Sequence, residues 1–368
     1  MSTYKEINGI KIQSVSSDPP APFQGEVWYN SGSDTVKYFA NVAGVWATGG
    51  NMGTAVGFIG SAGTQTAALS FGGSVPPTTA GTEEYNGSSW TNGGNLATAR
   101  FYLGGAGTQT AGLAFGGSAP PFTAATEEYN GSSWSEQNDL NKARGYLGGC
   151  GTQTAGLAFG GFNAPDDRYL NNSEEYDGTS WTEGNNLNTG RDILKGCGIQ
   201  TAGLAFGGNT PGNTAKTEEY NGTSWSEQND LATARRGCGG AGIQTAGLCF
   251  GGDTSVGTPT VSLSTEHYDG TSWTGGGNMP ARREGLQSGG IQTAALMIGG
   301  GFPATNACNQ YDGTSWTATA DMATARGDVA GSSGGGNVLG LAVAVPSSGS
   351  AVEEFSDTVV SSTKLDVS

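Results

Sequence analysis

"GTQTAGLAFGG" fills residues 107–117 and recurs letter for letter at 151–161, 44 positions further along the chain. A short apolar run closed by a double glycine reads as a strand buried on both faces and ended by a glycine turn. The same run returns, with small changes, at Phe71-Gly72-Gly73, Phe115-Gly116-Gly117, Phe159-Gly160-Gly161, Phe206-Gly207-Gly208, Phe250-Gly251-Gly252 and Ile298-Gly299-Gly300. A tyrosine follows each copy, and five residues after it a tryptophan: Tyr85/Trp90, Tyr129/Trp134, Tyr176/Trp181, Tyr220/Trp225, Tyr268/Trp273 and Tyr311/Trp316. Successive tryptophans lie 44, 47, 44, 48 and 43 residues apart, a period of solenoids, propellers or arrays.

Local patterning chooses among these. "TEEYNGSSW" reads strand, turn, strand, with Asn-Gly or Asp-Gly as the hairpin signal. Segments such as "NKARGYLGGCGTQTAG" (141–156) add one more strand and the turn into the apolar run. Four short strands with their turns fill about 44 positions, and no stretch has helical periodicity with caps. A four-stranded sheet repeated around an axis is a propeller blade. The chain is therefore expected to be all-β, with seven four-stranded blades and a short N-terminal β-hairpin arm.

Composition supports this reading. Glycine, at 66 of 368 residues, is far above its usual share of about 7%, while only 13% of residues are charged. Turn material between many strands accounts for this better than disorder or a collagen repeat. The formal net charge of −16 and the lack of any Lys/Arg run argue against nucleic acid as a partner. No apolar stretch reaches the roughly 20 residues of a membrane span, and the first 20 residues lack the pattern of a secretory signal. Of the five cysteines, Cys150 and Cys197 stand where sister copies have Ala62, Ala106 and Ala241, and Cys249 stands where they have Ala114, Ala158 and Ala205. They read as small buried residues rather than a disulfide framework or a metal cluster.

Double glycine after an apolar strand, then Tyr, then Trp, then "L/M…AR" opening the next unit resembles the kelch repeat over roughly residues 46–355. WD40 repeats have a similar length, but their Gly-His and Trp-Asp signatures are missing. The resemblance implies structural roles for the repeated positions, Gly116, Gly117, Tyr129, Trp134 and Arg144 among them, with Tyr and Trp packed between neighbouring blades. The near-identical blades and the "FQGEVWYNSGSDTVKYFANVAGVW" segment also resemble tail and fibre proteins of bacterial viruses, especially marine ones. That similarity implies a virion structural protein, made in the host cytoplasm. Residues 1–44 would attach it to other virion proteins, and the propeller would meet a host surface glycan or protein. A homo-oligomer is compatible with it.

Arg100, Arg144, Arg191, Arg235, Arg282 and Arg326 are read as marking six blade openings, and 51–73 is a seventh without the arginine. The last unit lacks a tryptophan, and Trp46 lacks a unit. The simplest closure takes the outer strand of the last blade from residues 45–49, and an alternative takes two strands from "TVKYFANVAGVW". The expected division is an arm over 1–44, a propeller over 45–357 and a tail over 358–368.

Chemistry is harder to find. The pairs Glu83-Glu84, Glu127-Glu128, Glu174-Glu175, Glu218-Glu219 and Glu353-Glu354 follow the repeat, and neighbours on a strand point to opposite faces. One of each pair is expected to meet the recurring arginine, and Asn309-Gln310 would leave one arginine without its carboxylate. Copper-radical chemistry, found in some kelch propellers, needs paired histidines, and this chain has only His267. The glycine-rich runs lack the GK[ST] of a phosphate loop. No catalytic residue, cofactor or metal is expected. Variation is concentrated in the loops after the double glycine, of 9, 9, 12, 9, 13 and 8 residues. The two long ones carry the candidate ligand contacts: Asp166, Asp167, Arg168 and Tyr169 in 162–173, and Asp253 and Thr254 in 253–265. The expected function is non-enzymatic binding on a virion. An intracellular interaction scaffold and a carbohydrate-active enzyme, with Asp166 and Asp167 as its carboxylates, are the alternatives.

Overall fold

A computed structural model describes residues 3–7, 10–17, 27–40, 45–54, 56–74, 77–164, 168–254, 261–301, 304–325, 327, 339–342, 350–356 and 361–364. The described residues hold strands and turns and no α-helix. Two compact units are present, one of Trp46–Phe355 and one of Met1–Val45 with Ser356–Ser368.

The larger unit is a β-propeller. Blade 2 illustrates the repeat: strands Gly104–Thr108, Ala111–Phe115, Thr126–Tyr129 and Trp134–Glu136 pair antiparallel in sequence order. Its second strand is the "AGLAF" of the opening motif, and Leu113, Ala114 and Phe115 are fully buried. Each large side chain sequestered this way contributes roughly 1.5–3 kcal/mol. The double glycine is needed where that strand ends. Gly116 has φ +62, and a Cβ there would sit 2.6 Å from the carbonyl oxygen of Arg144. The hairpin into the fourth strand is held by Asn130, whose Oδ1 accepts from the backbone of Ser132 and Ser133 at 3.0 Å each.

Blade 1 (60–92), blade 3 (148–183), blade 4 (195–227), blade 5 (239–275) and blade 6 (287–318) repeat this four-stranded order, and the first strands of blades 1–6 are neighbours in succession around the ring. The seventh blade has three described strands, Leu339–Ala342, Val352–Ser356 and Val45–Gly49. Its outer strand is thus the 45–49 segment, the simpler of the two closures. Thr35–Ala40, which the alternative would have used, pairs elsewhere.

That other pairing forms the smaller unit, a sheet ordered Thr3–Ile7, Ile10–Val15, Val27–Asn30, Thr35–Ala40 and Ser361–Lys364. Val27–Asn30 and Thr35–Ala40 make the expected hairpin about the turn at 31–34. Three further strands join it, and Trp28 and Val36 are buried there. Residues 361–364, expected within a tail, are one of its edge strands.

One repeat position needs correcting. Arg282 is exposed, and Arg283 occupies the blade-opening slot, 5% exposed, with its Nη1 donating to the carbonyls of Gly299 and Ala307. "MPARREG" offers two arginines, and packing selects the second because Met279 and Leu286 take the places of Leu96 and Leu103. Arg326 lies outside the described residues.

A candidate binding site at the rim of the ring

The repeated polar residues are spent on the scaffold. Arg144 and Glu174, both fully buried, are 2.8 Å apart within blade 3, and Arg100–Glu127, Arg191–Glu218 and Arg235–Glu266 repeat the pair. The second glutamate serves the next blade: Tyr129 Oη donates to Glu84, Tyr176 to Glu128 at 2.9 Å, Tyr220 to Glu175 and Tyr268 to Glu219 at 3.0 Å. His267 fills this slot in blade 5, its Nε2 2.5 Å from Tyr311 Oη. Burial lowers the pKa of that imidazole. Tryptophan ties the same interface, since Trp134 Nε1 donates to Thr82 Oγ1 at 2.8 Å and its rings lie 4.9 Å from those of Phe71. The adjacent carboxylates therefore diverge into two structural tasks. Among the described residues no group of three His, Cys, Asp or Glu side chains is placed to hold a metal ion.

Function is better sought where the repeat breaks. The residue two positions after the arginine slot is Phe58, Tyr102, Tyr146, Ile193, Gly237 and Gly285 in blades 1–6. All six have positive φ: 56, 52, 54, 48, 57 and 56° respectively. Their backbones form a hydrogen-bonded rim, with Tyr102 N donating to Phe58 O, Tyr146 N to Tyr102 O, Ile193 N to Tyr146 O and Gly237 N to Ile193 O at 3.1–3.3 Å. Glycine accepts this conformation freely. A bulky or β-branched residue there is strained, at about 1–2 kcal/mol each. Four of the six blades nevertheless hold one.

These side chains make the rim two-sided. Phe58, Tyr102 and Tyr146 pack in sequence, Phe58 tilted against Tyr102 and Tyr102 stacked on Tyr146, with ring centroids 4.5 and 3.9 Å apart. Opposite them the small Gly237 and Gly285 leave room for charge, and Lys195, Arg236, Asp253 and Glu284 line the cleft with them. The volume enclosed is about 600 Å3, within the range of roughly 300–1,000 Å3 of small-molecule sites. Arg236 donates from Nε and Nη2 to Asp253 Oδ2 at 3.1 and 2.8 Å. Behind it Asp192 is buried, accepts from Asn209 Nδ2 at 3.0 Å, and has its pKa raised by desolvation.

The loops join this rim through short bridges between the residue after each double glycine and the residue before each rim position: Phe101↔Ser118, Gly145↔Phe162, Asp192↔Asn209 and Arg236↔Asp253. Of the loop residues singled out in the sequence, Asp253 enters the cleft, and Thr254 follows it half-buried. Tyr169 packs edge-on against Phe162, which in turn meets Tyr146 and Phe122, so it extends the aromatic side outward. Arg168 is exposed beside it. Asp166 and Asp167 lie outside the described residues. The rim itself escaped the sequence reading, although the column that alternates Phe, Tyr, Tyr, Ile, Gly, Gly was its signal. No known family model matches the chain, and no curated protein matches it in sequence.

Proposed function

We propose that this propeller is a non-enzymatic, kelch-type binding protein of a bacteriophage particle, attached through residues 1–44 and meeting a host surface glycan or protein through the rim cleft. The observation that supports binding is the retention of four strained, half-buried side chains, Phe58, Tyr102, Tyr146 and Ile193, where glycine would fit without strain. Strain of this kind persists where a surface is used. An aromatic wall facing charged side chains suits a ligand with one apolar face and one polar edge, such as a pyranose ring or a protein loop. The virion assignment rests on the sequence resemblance.

The test applies labelled full-length protein to host cells and to their surface polysaccharide. A Tyr102→Asn/Tyr146→Asn variant keeps residues that tolerate left-handed backbone, so its Tm stays near the wild-type value. Its binding is expected to weaken at least about tenfold, as loss of aromatic anchors does. Equal binding by the variant, or absence of the chain from purified particles, overturns the proposal. The presence of two carboxylates, Asp253 and Glu284, in the lining of one cleft favours a carbohydrate-active enzyme as the second reading. Turnover of that polysaccharide by the wild-type protein, lost in Glu284→Gln, would establish it.

A further inference from the structure

Blade 1 lacks the buried arginine of its sisters but keeps what the arginine binds. Val56 stands in the slot of Arg100, Arg144, Arg191 and Arg235, and Glu83 stands in that of Glu127, Glu174, Glu218 and Glu266. Glu83 is only 6% exposed. Its Oε2 accepts from Gly53 N at 2.7 Å and its Oε1 from Thr54 N at 3.1 Å. No cation is paired with it among the described residues, and a buried carboxylate without one is costly.

The space left by the shorter side chain is a cleft of about 520 Å3, lined by Val56, Ser70, Gly72, Gly81 and Glu83, with Thr54, Asn92 and Asn95 exposed at its mouth. The sister blades show what such a space accepts. In blade 4, Arg191 donates from Nη2 to Glu218 and Ala205 O, and from Nη1 to Gly207 O and Lys216 O. In blade 5, Arg235 uses Glu266, Gly251 O and Ser264 O. The blade 1 counterparts of these acceptors are Glu83, Ser70, Gly72 and Gly81, and all four line the cleft.

We propose that the blade 1 cleft is a binding site for an external guanidinium group, seated on Glu83 and the carbonyls of Ser70, Gly72 and Gly81 as the internal arginines are seated in blades 2–5. One carboxylate flanked by carbonyls matches the planar fork of a guanidinium, which donates in several directions at once. A calcium ion would call for 6–8 oxygen ligands, several of them carboxylates, and Glu83 is the one acidic residue lining the cleft. The donor is an arginine side chain of a partner protein or a free alkylguanidine. The site shares no lining residue with the rim cleft, so its test is independent of the proposal above.

Methylguanidinium in the millimolar range is titrated into the full-length protein, with binding read by calorimetry and by Tm. Saturable binding with a rise in Tm is expected for wild type, and at least about tenfold weaker binding for Glu83→Gln, which removes the charge-assisted bond. Val56→Arg fills the cleft from within, so it is expected to raise Tm and to abolish the response. That variant decides the matter if Glu83→Gln fails to fold. Free arginine and agmatine binding as well as a capped arginine peptide points to a small-molecule ligand, and binding of the peptide alone points to a protein. No saturable response, an equal response in Val56→Arg, or saturation by calcium and not by methylguanidinium overturns the proposal.

Discussion

Gln65 Nε2 donates to the carbonyl oxygen of Phe355 at 2.7 Å, joining residues 290 positions apart in the chain. The same glutamine in "GTQT" or "GIQT" makes this contact at five further blade interfaces, from Gln109 to Tyr85 O, Gln153 to Tyr129 O, Gln200 to Tyr176 O, Gln244 to Tyr220 O and Gln292 to Tyr268 O. Gln65–Phe355 is the copy that closes the ring. Beside it Met52 N donates to Ser350 O and Gly50 N to Ser88 O. Gln65→Ala removes the donor to the Phe355 carbonyl and is expected to cost about 1–3 kcal/mol in urea unfolding. Gln153→Ala, at an interface between blades adjacent in sequence, should cost as much at equilibrium. Only Gln65→Ala should speed opening of the first and last blades, read by hydrogen exchange of the 60–71 amides.

Arg144→Met strands Glu174 in the interior and is expected to destabilise by about 3–5 kcal/mol. Adding Glu174→Gln removes the charge while keeping an acceptor for Asn141 N, which lies 2.6 Å from Glu174 Oε2. More than half of the lost stability should return. A double variant no better than the single one would show that the arginine acts through packing rather than charge.

Ser173→Thr should stabilise the protein. Trp134, Trp181, Trp273 and Trp316 each donate from Nε1 to a threonine of the preceding blade at 2.8 Å. Ser173 replaces that threonine opposite Trp225, and both Ser173 Oγ and Trp225 Nε1 are buried without a partner. The β-methyl of threonine restricts χ1 and holds the hydroxyl in place. The expected gain is about 0.5–1.5 kcal/mol, measured as a shift in the urea midpoint at constant m. An unchanged midpoint would refute it.

Alkaline pH should open the ring between its blades. Burial, followed by hydrogen bonding to a carboxylate of the neighbouring blade, raises the pKa of Tyr129, Tyr176, Tyr220 and Tyr268. The folded chain then holds protons that the unfolded chain releases near pH 10. Stability from these groups is complete below pH 10 and is lost as pH rises from there through the folded-state values. Ultraviolet titration should show these phenols ionising together with loss of the fold, and Tyr176→Phe should shallow the decline. Ionisation of all tyrosines near pH 10 with the fold intact would contradict this.

The repeat, the all-β class, the blade number and the segment that closes the last blade were legible in the chain. Each depends on local period and turn chemistry, which neighbouring residues dictate. That one glutamate of each pair meets the arginine was legible too, because neighbours on a pleated strand point to opposite faces; that it is the first of the two was decided by the packed blade. Other features arise only when the blades stand in a ring. Arg283 rather than Arg282 fills the slot because Met279 and Leu286 fix the register of packing. Phe58, Tyr102 and Tyr146 become one surface because the ring brings together residues about 44 positions apart, each on its own inconspicuous in its repeat. The cleft at Glu83 likewise exists because a single shorter residue, Val56, stands where the sheets of four other blades enclose an arginine. Sequence period determined the units, and the closing of the ring decided which of their exceptions face one another.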